Sequence, residues 1–176
     1  MDFLELAKER YSVRKLCEKQ VEQEKIDKIL EAARFCPTAV NYQPQRIVIL
    51  QDSLKLEQLK ECTKYHFNAP LAMVVCYDEK VSWKHPDKIH DSGEVDASIA
   101  ATQMMLEIHN IGLGTTWVGY FDHKKLSQML ELPEHIKPVV VFPIGYPSEQ
   151  SKPIHLHYEK QNIDQMISYN TYKENK

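Results

Sequence analysis

Two kinds of apolar pattern alternate along this chain. Residues 22–35 place Ile26, Ile29, Leu30 and Ala33 at the i, i+3, i+4, i+7 spacing of one buried helical face, and Pro37 marks where that helix must stop. After the polar residues 38–45, the run Ile47, Val48, Ile49, Leu50 is short and β-branched, which predicts a buried strand. Residues 71–77, with Met73, Val74 and Val75, repeat that signature. Ser53 is the expected N-cap of a helix carrying Leu54, Leu56 and Leu59. A short helix is expected over residues 2–9. Residues 95–110 are rich in Ala, Met and Leu on nearly every face, which predicts a core helix buried on more than one side. Gly112 supplies its cap. A strand over 115–120, a short helix over 124–130 and a last buried strand over 139–142 follow. Residues 78–94 are too polar for the core and read as a loop or lid.

From residue 147 onward the chain is polar, with Tyr158, Tyr169 and Tyr172 but few aliphatics, so this tail is expected to wrap another surface. No repeat or linker divides the sequence. The pattern predicts a single domain over residues 1–176, of class α+β.

Composition narrows the function. A chain of 176 residues can bury roughly 70% of its unfolded surface, enough for a core without disulfide or metal staples. Its 22 basic and 25 acidic residues give a net charge of −3, with the basic ones scattered. Nucleic acid and anionic membranes both demand a basic footprint and are therefore not expected partners. No run nears the ~18 apolar residues of a membrane helix. Asp2 and Glu5 near the start do not fit a signal peptide. Cys17, Cys36, Cys62 and Cys76 form no CxxC pair, so reduced thiols and a cytoplasmic location are expected. A small-molecule function is the default.

Three stretches could carry chemistry. Arg10, Tyr11, Ser12, Val13, Arg14 sets two guanidinium groups around a hydroxyl; in an extended run all three would project to one side and match phosphate oxygens. The plainer reading is an exposed basic face. Residues 36–45 form a proline-bounded loop holding Thr38, Asn41 and Gln43, whose amides offer donor and acceptor together and suit the polar edge of a flat heterocycle. An ordinary capped loop is the alternative. Residues 112–120 hold three of the five glycines, Gly112, Gly114 and Gly119, around Trp117. Glycine permits close backbone approach to a ligand but also makes turns, and the run follows a helix rather than opening one, so it is no dinucleotide fingerprint. Asp96, at the start of the core helix, reads as a cap or structural acid. His155 and His157 would share one side of an extended segment, and His85 and His90 lie in the polar excursion. No ligand spacing with thiol or carboxylate is read from these pairs, so no metal is expected.

Taken in order, these stretches resemble the FMN-dependent nitroreductase family. The matching pieces are Arg10 to Arg14 after a short helix, Ala32 and Ala33 before the loop from Pro37 to Pro44, the helix opened by Asp96, the run from Gly112 to Asp122, and Ile144 to Pro147. They span nearly the whole chain. The resemblance implies a central, mainly antiparallel sheet wrapped by helices, in two chains interlocked as a homodimer with FMN at the interface. By position, Arg10, Tyr11, Ser12 and Arg14 would bind the FMN phosphate. Pro37, Thr38, Ala39 and Asn41 would reach the flavin from the partner chain, supported by Gln43, while Trp117, Val118 and Gly119 would lie along the hydride-accepting edge.

The implied activity is ping-pong transfer of electrons from NADH or NADPH, through FMN, to a nitroaromatic or quinone. No side-chain acid or base is required, so no catalytic residue is named. Three departures from the family stand out: Gln45 replaces a common tryptophan, Cys36 replaces a small residue, and the tail lacks an arginine, leaving Lys152, His155 and His157 as basic candidates for the phosphate. Alternatives are other reductive chemistry on the same scaffold, such as dehalogenation, flavin fragmentation or unsaturated-bond reduction, a non-catalytic FMN-binding protein, or an α+β domain without flavin.

Overall fold

The computed structural model describes residues 2–87 and 89–174; the ends of the predicted 1–176 span and of the tail, and Lys88 in the polar excursion, lie outside the described residues. One antiparallel sheet organises the chain. Its strands are β1 (Gln45–Leu50), β2 (Leu71–Asp78), β3 (Gly114–Thr115) and β4 (Ile136–Gly145), in the order β1-β2-β4-β3. The helices are α1 (Phe3–Glu9), α2 (Gln23–Arg34), α3 (Ser53–Cys62), α4 (Gly93–Asn110) and α5 (His123–Met129). This is the expected α+β architecture.

Because side chains alternate across a strand, β2 serves two cores. Met73 and Val75 join Val140, Phe142 and Ile144 of β4 on the face covered by α2 and α4. Ala72, Val74 and Cys76 join Val141 on the other face, against Leu59 of α3 and Leu126 of α5. Burial on both faces is why β2 reads as a continuous apolar run, without a polar alternate. A register shift between Val75 and Cys76 bends the β2–β4 ladder.

Several expectations shift in detail. The N-cap of α3 is Asp52, whose carboxylate accepts the N–H groups of Leu54 and Lys55; Ser53 is the first helical residue. The strand expected over 115–120 shrinks to two residues and a bridge between Val118 and Val141. Its partner explains the break: in this register Thr116 falls opposite Pro143, which has no N–H to donate. The helix expected from residue 95 begins at Gly93. It packs on one side against α2 and the sheet, while Val95, Ile99 and Leu106 line an open groove of about 670 Å³ with Phe3. The expected burial on further sides is not met within one chain.

The tail starts against the N-terminal segment of its own chain. Leu16 bridges Pro147, the Ser148 N–H donates to the Lys15 carbonyl, and the Tyr11 hydroxyl donates to Ser151 Oγ at 3.2 Å. Tyr158, Tyr169 and Tyr172 are exposed. The four cysteines are free thiols. No helix among the described residues is long and apolar enough to cross a membrane.

Candidate functional site

Residues 10–14 run as an irregular segment beside β3, pinned by a hydrogen bond from the Val13 N–H to the Thr115 carbonyl at 2.9 Å. Val13 is buried, and Gly114 lets it in: a Cβ on Gly114 would lie 2.7 Å from the Val13 side chain. With Val13 anchored inward, Arg10, Ser12 and Arg14 face outward, where Tyr11 joins them in lining a cavity of about 240 Å³. The rest of the lining comes from the tail: Ile154, Leu156, His157 and Lys160.

The cavity is strongly cationic. Among the described residues the Arg10 guanidinium has no hydrogen-bond or ion-pair partner. Among the same residues the Arg14 side chain donates only to the Ser12 carbonyl at 3.3 Å, and the Lys160 ammonium donates to the His157 carbonyl. No carboxylate among the described residues lines the cavity, so none of them compensates the cations there.

The tail differs from its expected geometry. Residues His155–His157 form a 3-10 turn, so the two histidines do not alternate on one side of an extended segment. His157 turns to the cavity, its ring 6.3 Å from that of Tyr11, whereas His155 is exposed near Glu159. Lys152 does not line the cavity either. Lys160, which sequence reasoning passed over, supplies the tail's cation. The signal was its i+3 spacing from His157 across a turn, invisible while the segment was read as extended.

Arg14 also borders a second cavity of about 300 Å³, lined by Tyr65, Phe67 and residues 116–120. Trp117 and Gly119 in turn border a third, of about 720 Å³, which reaches Tyr77, Ser98 and Lys124. Arg14 therefore borders both the cationic space and one lined by Tyr65, Phe67, Trp117 and Tyr120, while Trp117 and Gly119 border that second space and the third. Trp117 is half-exposed and stands edge-on to the core ring of Phe142 at 5.6 Å. The Val118 side chain is buried in the sheet, so the backbone of 116–119 and the Trp117 ring form the wall.

The loop with Pro37, Thr38, Ala39, Asn41 and Gln43 does not meet these cavities within one chain. Thr38 Oγ1 accepts the Gln43 N–H at 3.0 Å, and the Gln43 amide donates to Asn41 Oδ1 at 3.2 Å. Val40, Asn41 and Gln43 are all left-handed, with φ of 54°, 57° and 51°, and Val40 is exposed. A β-branched residue held at positive φ is strained, which a loop tolerates only when its surroundings fix it. Asp96 does that fixing. It is buried, accepts the Ala39 N–H at 2.9 Å, and accepts the Ser92 hydroxyl at 2.8 Å. Nearby Cys36 is buried, and burial with the Asp96 charge pushes its thiol up, away from the reactive thiolate.

The Nitroreductase family model matches residues 7–72 and 64–146. The chain belongs to the nitroreductase family. A protein of Methanothermobacter thermautotrophicus with the provisional name NADH dehydrogenase/NAD(P)H nitroreductase is 34% identical over 91% of this chain and 88% of its own. The crystal structure of a nitroreductase family protein from Clostridium difficile superposes with a TM-score of 0.92 at 34% identity, covering 98% of this chain and all of that one. An FMN-dependent nitroreductase from the same species gives a TM-score of 0.79 at 27% identity, covering 97% and 100%.

Proposed function

We propose that this nitroreductase family member is an FMN-dependent oxidoreductase that passes electrons from NADH or NADPH to a small acceptor, such as a nitroaromatic or a quinone, in a ping-pong sequence. The observation that carries the reading is that Arg14 borders both a cationic cavity and one lined by Tyr65, Phe67, Trp117 and Tyr120. A flavin mononucleotide is a dianion joined to a flat ring system, and these two neighbouring cavities offer cations to the one and aromatic side chains to the other.

The donor set fits the group. Arg10, Ser12, Arg14, His157 and Lys160 would hold the phosphate, with Tyr11 as an apolar rim. Trp117 and the backbone of Val118 and Gly119 would lie along the ring edge. Bound there, FMN would supply the hydride and electron chemistry. The protein's residues would bind and orient: the guanidinium groups would fix one end, and the wall of residues 116–119, bridged to β4 through Val118 and Val141, would fix the other. No acid or base is assigned.

The loop from Pro37 to Gln43 lines none of these cavities, and the apolar groove on α4 and the tail tyrosines are exposed. All three are accounted for by an interlocked homodimer in which the loop and the tail beyond His157 meet the partner. Initial rates measured against donor and acceptor together should give parallel double-reciprocal lines. Converging lines would overturn the ping-pong sequence.

A further inference from the structure

We propose that His85, Asp87 and His90 form a binding site for a divalent transition-metal cation of the zinc type. The site lies on the hairpin that leads into α4, outside the cavities above.

The hairpin brings the three side chains together. Lys84 and Asp91 form an antiparallel bridge and an ion pair, the His85 N–H donates to the His90 carbonyl at 3.0 Å, and the Ser92 N–H donates to the Trp83 carbonyl at 3.0 Å. His85 and His90 are thereby cross-strand neighbours. Asp87, at the tip, uses Oδ1 to accept the N–H groups of Ile89 and His90 at 2.9 and 3.2 Å. Its Oδ2 is left facing both imidazoles, 2.9 Å from His85 Nδ1 and 2.7 Å from His90 Nδ1. The three donor atoms all lie within 4.8 Å of one another, and all three side chains are exposed.

These distances suit a metal. Imidazole and carboxylate bonds to zinc are about 2.0–2.2 Å, which places neighbouring donors roughly 3.0–3.5 Å apart, a few tenths of an ångström from the two present histidine–carboxylate distances. His85 Nδ1 lies 2.9 Å from Asp87 Oδ2 and 3.3 Å from the Asp87 N–H, so it can donate to the one or accept from the other but not both at once. A metal held by the two imidazoles and the carboxylate would use their lone pairs together. Two imidazoles with one carboxylate select zinc, nickel or cobalt over magnesium and calcium, which prefer oxygen donors throughout, and water completes the coordination.

The test is isothermal titration of zinc chloride, at pH 7.5, into purified protein first dialysed against a chelator. One zinc per chain is expected. His85→Ala and His90→Ala should each weaken binding at least tenfold, and Asp87→Asn, which retains the turn acceptor, severalfold. His135→Ala, outside the hairpin, should bind as wild type does, and magnesium chloride should not compete. Circular dichroism of each variant checks that the fold is kept. The proposal is overturned by an absence of zinc binding, by isotherms that the hairpin substitutions leave unchanged, or by equal binding of magnesium. The first result would identify the cluster as a proton-sharing network only.

Discussion

The carboxylate of Asp96, in the first turn of α4, accepts the backbone N–H of Ala39 at 2.9 Å and so ties the core helix to the strained loop before β1. Asp96→Ala would strand that N–H and the Ser92 hydroxyl, a loss of about 1–3 kcal/mol. Asp96→Asn retains an acceptor and should recover part of it. Urea unfolding reads the difference. An Asp96→Ala variant as stable as wild type would remove the carboxylate as the loop's anchor.

Arg10→Ala and Arg14→Ala should each weaken FMN binding by about 1.5–3 kcal/mol, roughly 10- to 150-fold, because each removes a charge-assisted hydrogen bond. Lys160→Ala and His157→Gln should weaken it too, while Lys152→Ala and His155→Gln should have little effect. Riboflavin, which lacks the phosphate, is the control. Equal losses for FMN and riboflavin would place these residues away from the phosphate.

A second tie joins α2 to the end of β4. The Tyr146 hydroxyl donates to the Glu22 carboxylate, Lys19 pairs with it at 3.0 Å, and the Lys19 and Lys25 ammonium groups lie over the Tyr146 ring. Tyr146 chiefly, then the residue's own backbone N–H and Lys19, lower the Glu22 carboxyl to about 2. A depressed folded value stabilises the fold above the unfolded carboxylate range, and that gain fades as pH falls toward 2. Glu22→Gln should therefore lower stability at pH 7, and the gap from wild type should close between about pH 4.5 and 2. A gap that persists at pH 2 would assign the effect to packing.

The homodimer reading predicts a particle of two chains at micromolar concentration by light scattering. The exposed Phe3, Val95, Tyr169 and Tyr172 would otherwise leave a large apolar surface in water. A folded monomer carrying flavin would contradict it.

Much of this was legible in the residues. The buried runs around Ile47 and Met73 and the periodic face of Ile26, Ile29 and Ala33 marked two strands and a helix, because burial leaves a local signature. The break at Thr116 was not legible, since it depends on Pro143, 27 residues away, falling opposite it in the ladder. Arg10, Ser12 and Arg14 stood out because their spacing is local, whereas Lys160 reaches the same cavity only through a turn that an extended reading denied. Gln45, noted as a departure from the family, has an Oε1 with no partner among the described residues, which the sequence could not reveal. Asp87 went unread as a partner of His85 and His90 because the hairpin, not the spacing, aims it at both.

The most direct measurement of the central claim is one anaerobic mixing experiment on the purified protein, followed by its visible flavin absorption. The account predicts a yellow protein whose band bleaches on addition of NADH or NADPH and returns when a nitroaromatic or quinone is added without oxygen. A colourless protein that takes up no added FMN, or a yellow one that neither donor bleaches, would contradict it.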